Sequence, residues 1–396
     1  MRKTINKLFL IITVISALLL TTGCDLFIKT NKGQVDQKWY MGLTYEDDNG
    51  NDTDYTIGTD GTIAAVALED GYGDEFGIIK GEEAYLNINT IIKNIDKRFY
   101  VDATNNLVMF TDATKTYKTK IGGKTINETE NTDYVISFMD GKNCYVNVKF
   151  VKKYVDFDYK VVKAEGKSPA RIVLKYTSGE KNQMTVKSNI EMRTKADYQN
   201  LIVTTLKKNT KVTVLEESGD WTKVGTDDGF MGYVPAKKLK DKETKKTEFK
   251  SDADTYTHVL MNKKISLGWN AITNLTANGN LETIIEHTKG LNVISPTWYS
   301  LSDNKGNLRS YASATYVEKA HSKGLKVWAL VNDFGTQDKA SKEYTKKVLT
   351  DTTKRENLVD NIMTNIKDYN LDGINIDFEF INKDIINSYL QFLREL

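Results

Sequence analysis

Two carboxyl side chains, Asp377 and Glu379, stand two residues apart near the end of the stretch Leu371–Ile381. The stretch is apolar at alternate positions and bounded by polar segments, which predicts a buried strand. Side chains on a strand alternate between its faces. One face then carries Ile374, Ile376, Phe378 and Phe380, and the other Gly373, Asn375, Asp377 and Glu379. Burying a carboxylate costs several kcal/mol unless it is paired or neutralised. Two side by side are therefore a poor choice for stability alone. Two readings fit: a catalytic carboxylate site at the end of a barrel strand, or an amphipathic edge strand whose acids face water. On a strand the two acids are about 6.6 Å apart along the chain. Asp372 has the opposite parity and is expected to order the start of the strand.

The elements that would position this strand begin near Tyr256, where strands alternate with helices, the pattern of a parallel α/β fold. Strands are predicted at Lys264–Trp269, Asn292–Ser295 and Lys326–Val331, with Leu371–Ile381 the fourth. Helices are predicted at Leu281–Lys289, Ala314–Ser322, Lys354–Tyr369 and Asn382–Glu395, the second stopping at Gly324. That makes four βα units. A TIM barrel, the fold that the motif of the fourth strand implies by resemblance, has eight in about 250 residues, so the segment 256–396 is expected to be a partial barrel, and the chain to stop inside its catalytic domain.

The segment Asp372-Gly373-Ile374-Asn375-Ile376-Asp377-Phe378-Glu379 resembles the Asp-x-x-Asp-x-Asp-x-Glu signature of glycoside hydrolase family 18, the chitinase-like TIM barrels. It is similar to the branch of bacterial cell-wall and spore-cortex N-acetylglucosaminidases, which often has Asn at the second Asp position, as at Asn375. The resemblance implies that Glu379 is the general acid and that no protein nucleophile is needed. The substrate's own 2-acetamido carbonyl attacks the anomeric carbon, the exception to the two-carboxylate scheme. Asp377 would orient that acetamide and steady the oxazolinium, and Asn375 would tune Asp377 by hydrogen bonding. The charge of Asp377 and partial burial would both favour the protonated form of Glu379.

Trp298 and Tyr299 follow the second strand and are candidates for stacking on sugar faces. Asn332 and Asp333 follow the third and are candidates for binding hydroxyls, and Trp269 ends the first. Rim packing is the alternative for each. The three histidines, His258, His287 and His321, lie far apart, and none pairs at metal-ligand spacing. No Gly-rich phosphate loop precedes a helix. No metal and no cofactor are expected. A net charge of +2 with 27% charged residues argues for no nucleic-acid partner.

The chain opens as an export signal. Arg2, Lys3 and Lys7 precede the apolar run Leu8–Leu20, too short for a comfortable membrane span. Leu20-Thr21-Thr22-Gly23-Cys24 resembles the bacterial lipobox, with Thr21 where Leu is commoner. The resemblance implies a lipoprotein signal peptide over 1–24 and lipidation at Cys24; an ordinary cleaved signal is the alternative. Lipidation would anchor the chain to the outer face of the cytoplasmic membrane, facing the cell wall. Cys144, the only other cysteine, then has no disulfide partner and reads as a small buried hydrophobe.

Residues 25–38 are polar and read as a tether. Residues 39–178 show short alternating runs between Gly, Asn and Asp clusters, predicting a β-rich α+β module. It contains a repeat offset by 60 residues: Tyr85-Leu86-Asn87-Ile88 matches Tyr145-Val146-Asn147-Val148, and Ile91, Lys93, Ile95, Asp96 and Phe99 align with Val151, Lys153, Val155, Asp156 and Tyr159. Each unit is expected to be a strand, a short helix and a strand pair. The module resembles the one called copper amine oxidase-like N-terminal, and no histidine occurs before His258 to hold a metal there. Residues 184–240 resemble a bacterial SH3-type β-barrel, on Gly219-Asp220-Trp221-Thr222-Lys223-Val224 and Gly232-Tyr233-Val234-Pro235. Trp221 and Tyr233 are core anchors or ligand contacts. The Lys-rich run at 241–255 reads as a solvated linker.

The expected protein is multidomain: a β-rich module, an SH3-type barrel, and an α/β partial TIM barrel of four βα units. Its expected role is a membrane-anchored glycosidase acting on N-acetylglucosaminyl bonds of peptidoglycan or a chitin-like glycan. The alternative is a non-catalytic wall-binding lipoprotein.

Overall fold

A computed structural model describes residues 30–58, 60–250, 260–334 and 339–396. Cys24, the export signal, the start of the tether, the end of the Lys-rich run and His258 lie outside the described residues. Among the described residues no helix is long and apolar enough to cross a membrane. The described residues form two compact units, one within 1–90 and 155–250, the other within 91–154 and 251–396. The repeat-bearing segment 39–178 therefore contributes to both.

In the first unit, strands Glu83–Asn87, Gly77–Lys80 and Thr62–Ala67 form an antiparallel meander. Ala170–Lys175 joins Thr62–Ala67 in parallel, and Asp158–Val162 pairs antiparallel with Ala170–Lys175. A seven-stranded sheet follows in the order Ile202–Leu206, Ile190–Arg193, Met231–Pro235, Trp221–Gly225, Lys211–Ser218, Gly179–Val186 and Leu239–Thr247. Trp221 and Tyr233 are half-buried, and Trp221 meets Tyr198 edge to face at 4.9 Å. The Tyr72 hydroxyl donates to Gly229 O at 3.0 Å and accepts from Met231 N at 3.2 Å, tying the meander to this sheet.

Two expectations fail here. The Lys-rich linker begins instead as a nine-residue strand, Leu239–Thr247, paired from Leu239 to Thr247 with Gly179–Val186. Its charged side chains stay in water while the backbone completes the ladder, a common way to finish a sheet edge. The polar tether is also docked where it is described: Asn31 N donates to Tyr198 O, Val35 N donates to Ile202 O, and Ile202 N donates to Gly33 O, each at 2.9 Å. Backbone groups of an open edge accept a partner strand whatever its side chains are.

In the second unit, strands Phe99–Asp102, Leu107–Thr111, Thr116–Lys120, Thr125–Ile126 and Glu130–Asn131 form an antiparallel sheet. Helix Val148–Tyr154 covers it through Phe150 and Tyr154, whose rings lie 6.3 Å from Phe99 and 4.7 Å from Phe110. The α/β part has four parallel strands: Leu267–Asn270 pairs with Val293–Pro296, which pairs with Lys326–Asn332, which pairs with Gly373–Asp377. A hairpin, Tyr299–Leu301 with Leu308–Ser310, follows the second strand and rests against Val331 and Asn332 of the third.

The helices of this part start where the sequence caps them. Ser313 Oγ accepts from Tyr316 N ahead of Ala314–Ser322, and Asp351 accepts from Thr353 N and Lys354 N ahead of Thr352–Asp368. Gly324, at φ 77°, turns the chain out of the first of these into the third strand. A further helix, Lys339–Leu349, fills a stretch for which no element was expected. Its apolar residues are few, but Val348 and Leu349 are fully buried. The core beneath the sheet gathers Trp298, Tyr316, Val327, Ala329, Val331 and Leu358. Ile374, Ile376 and Phe378 pack against it, so the apolar face of the fourth strand turns toward the helices.

The antiparallel sheet of the second unit seats on helices Thr352–Asp368 and Ile386–Glu395. Asp102 accepts from Thr352 N at 2.6 Å, the Tyr100 hydroxyl lies 2.8 Å from Ser388 Oγ, and Gln391 donates to Thr111 Oγ1 at 2.8 Å. The seam centres on Arg355. Its guanidinium is fully buried, donates to Leu349 O and to both carboxylate oxygens of Glu395, and lies 5.1 Å from the Tyr100 ring centre.

Candidate active site

Parallel pairing puts opposed residues on the same side of a sheet. The third and fourth strands pair Trp328 with Gly373, Leu330 with Asn375 and Asn332 with Asp377. Trp269 of the first strand pairs with Ser295 of the second, and Asn375 Nδ2 donates to Ser295 Oγ at 3.4 Å. Trp269, Ser295, Asn375, Asn332 and Asp377 thus share the face opposite the helix-packed core. Asp377 is the last residue of its strand and half-buried.

The strand is shorter than the sequence suggests. It ends at Asp377, and Glu379 lies two residues beyond it in the following loop, with its side chain in solvent. The partial burial expected of Glu379 is not found. Asn375 also departs from expectation: its amide reaches across to the second strand and Ser295, not along its own strand to Asp377.

What holds Glu379 is Asp333. This carboxylate, one residue past the third strand, is 0% exposed. Its Oδ1 accepts from Glu379 N at 2.8 Å. Its Oδ2 accepts from Phe380 N at 3.1 Å and from Thr345 Oγ1 at 3.0 Å. Asp333 is thus no sugar-hydroxyl ligand, because the protein occupies both its oxygens. Its place just after the third strand was visible in the sequence; its partner 46 residues on was not. Close by, burial together with the Asp333 and Asp377 charges raises the Tyr389 phenol above its ordinary range.

Trp298 and Tyr299 do not join the site. Both are 0% exposed. The Trp298 indole donates to Asn278 Oδ1 at 2.8 Å and meets Tyr316 edge to face at 5.1 Å. Burial pushes the Tyr316 phenol up to about 12 and the Tyr299 phenol higher still. Neither aromatic ring offers a face to a sugar: they lie on the helix side of the sheet, where large rings fill the core. The exposed ring on the site face is Trp269, at 69%. Asn332 is 6% exposed, and its Oδ1 is buried without a hydrogen-bond partner.

Asp372 closes the other end of the strand. It accepts from His321 Nε2 at 2.7 Å, Lys326 Nζ at 2.6 Å and Val327 N at 2.9 Å. Burial opposes its ionisation, but the hydrogen bonds from Lys326, Val327 N–H and His321 prevail and hold the carboxyl below the usual range. Among the described residues no cluster of His, Cys, Asp or Glu is placed to hold a metal ion.

Residues 188–240 match the family model for the bacterial SH3 domain, and residues 273–396 match glycosyl hydrolases family 18. The chain is therefore a multidomain protein that carries a bacterial SH3 domain and a family 18 glycosyl hydrolase domain. No curated protein matches it. Solved structures that resemble it include a chitinase from Bacteroides thetaiotaomicron, at 22% identity over 33% of this chain and 41% of that one, TM-score 0.28. A chitinase from Chromobacterium violaceum ATCC 12472 shares 15% over 33% and 39%, TM-score 0.28. The spore cortex-lytic enzyme SleL of Bacillus megaterium QM B1551 shares 21% over 33% and 30%, TM-score 0.27. The chain spans less than half the length of each.

Proposed function

We propose that this protein is a glycoside hydrolase that cleaves N-acetylglucosaminyl bonds of peptidoglycan or a chitin-like glycan by substrate-assisted, retaining catalysis. The observation that carries the reading is the placement of Asp377 as the last residue of a parallel strand, with Glu379 just beyond it at the C-terminal edge of the sheet. That edge is where barrel enzymes of this architecture keep their chemistry.

In this reading Glu379 gives its proton to the glycosidic oxygen as the bond to the anomeric carbon breaks. The carbonyl oxygen of the substrate's 2-acetamido group forms the new bond to that carbon, giving an oxazolinium. The charge of Asp377 steadies the cation in this reading, and its carboxylate orients the acetamide N–H. Water then attacks the anomeric carbon as Glu379 takes a proton from it, the bond from that carbon to the acetamide oxygen breaks, and the two inversions together retain the anomeric configuration. Asn332 is a substrate contact on the ground that a buried, unpartnered acceptor costs about 1–3 kcal/mol unless a ligand supplies a donor. Trp269 replaces Trp298 and Tyr299 as the stacking aromatic. Cys24 carries the lipid that holds the protein at the outer face of the cytoplasmic membrane, and Cys24→Ser would release it from membranes.

The test assays reducing-end release from purified peptidoglycan and from an N-acetylglucosamine oligomer, comparing the full-length protein with Glu379→Gln. Activity lost in the variant supports the reading and ranks the two glycans. Equal activity in both overturns the role of Glu379. No activity in either, with wall binding kept in a protein whose barrel is complete, favours the wall-binding alternative.

A further inference from the structure

We propose that Asp333 is a positioning residue for Glu379, fixing the backbone from which the acid projects; the inference rests on the reading of Glu379 as the proton donor. The ladder between the third and fourth strands ends at the pair Asn332–Asp377. Past that pair the backbone N–H groups of Glu379 and Phe380 have left the sheet. Asp333 extends the pairing with its side chain, one oxygen to each of these consecutive N–H groups. Thr345 of helix Lys339–Leu349 donates to the oxygen that holds Phe380. A second tie from the same helix is Lys342, whose ammonium lies 5.3 Å from the Phe380 ring centre.

The arrangement separates two demands. Glu379's own carboxyl must stay free of protein partners to reach a glycosidic oxygen, and it is exposed. Its backbone must nevertheless be still, because a displacement of about 1 Å at a reacting group can cost on the order of 100-fold in rate. A buried carboxylate held by two backbone donors and a threonine meets the second demand without touching the first. Such charge-assisted bonds are roughly twice as strong as neutral ones.

The full-length protein would be assayed as wild type, Asp333→Ala, Asp333→Asn, Thr345→Val and Glu379→Gln. Two substrates are needed. An N-acetylglucosamine oligomer has a poor leaving group and requires the acid. A dinitrophenyl glycoside of N-acetylchitobiose leaves without protonation. Asp333→Ala is expected to lower kcat on the oligomer about 10- to 100-fold, with KM changed less than about 2-fold. On the dinitrophenyl substrate the loss is expected to stay under about 3-fold, because departure there needs no acid. Asp333→Asn, which keeps one acceptor oxygen, should fall between, and Thr345→Val should show the same bias at smaller size.

Equal loss on both substrates, or none on either, overturns the proposal. Should Asp333→Ala fail to fold by circular dichroism, the oligomer-to-dinitrophenyl rate ratio in Asp333→Asn and Thr345→Val decides: an unchanged ratio overturns it. Glu379→Gln separates the two levels. If it leaves both rates intact, the assignment of the acid falls and this inference with it. If it removes oligomer cleavage alone while the Asp333 variants match wild type, only this inference falls.

Discussion

Gly373 lies under the indole of Trp328, its register partner on the third strand. A Cβ at 373 would come within 2.8 Å of Trp328 Cδ1 and 3.0 Å of Nε1. The glycine of the motif is therefore explained by a ring on the neighbouring strand and not by its own backbone angles. Gly373→Ala is expected to destabilise the domain by about 1–3 kcal/mol, the usual size for overpacking. Combining it with Trp328→Leu should cost less than the two changes summed. A chemical-denaturation series in which the two effects simply add would show that the rings and the glycine do not compete for space.

Arg355 is buried without exposure between Glu395, Leu349 O, Thr352 and the Tyr100 ring. Arg355→Met leaves the Glu395 carboxylate buried without its partner. The expected loss is about 3–5 kcal/mol, as for other broken buried pairs. Limited proteolysis should then open the seam between the Phe99–Asn131 sheet and the helices before the rest of the chain. Thermal melting and cleavage patterns like those of wild type would refute a structural role for this seam.

Asp372 predicts an acid-sensitive stability. Its folded pKa is depressed by Lys326, the Val327 N–H and His321 against the opposing effect of burial. The stabilisation is thus fully present above the unfolded value of about 3.9. It is lost as pH falls through the lower folded value. Asp372→Asn should lower the melting temperature at neutral pH, with the gap to wild type closing below about pH 4. A gap that stayed constant down to acid pH would mean that ionised Asp372 contributes nothing to the fold.

Cys144 is a free, buried cysteine, and burial pushes its thiol up to about 12. A thiol in that state is a poor nucleophile. Native protein exposed to iodoacetamide near pH 8 should leave the Cys144 peptide unlabelled by mass spectrometry, with full labelling after denaturation. Rapid labelling of the native protein would place this strand at the surface.

Much of the fourth strand was legible in the sequence. Strict alternation separated Ile374 and Ile376 from Asn375 and Asp377, and the structure keeps that division. The SH3 and family 18 segments were likewise readable from short motifs. The alternation does not show where pairing stops, so it runs on through Glu379 although the strand ends at Asp377. Nor could local pattern reveal the strand Leu239–Thr247: with a charge at most positions it lacks an apolar face, and its partner Gly179–Val186 supplies the reason it is extended.

The sequence by itself determined the local periods, the helix stop at Gly324, and the chemical identity of the two acids. These depend on neighbours within a few residues. Only the tertiary structure decided that Trp298 and Tyr299 fill the core while Trp269 stays exposed, and that Asp333 grips the Glu379 backbone. Which face of a strand is covered, and which distant group satisfies a buried polar atom, depends on contacts between segments far apart in the chain, and no local pattern carries that information.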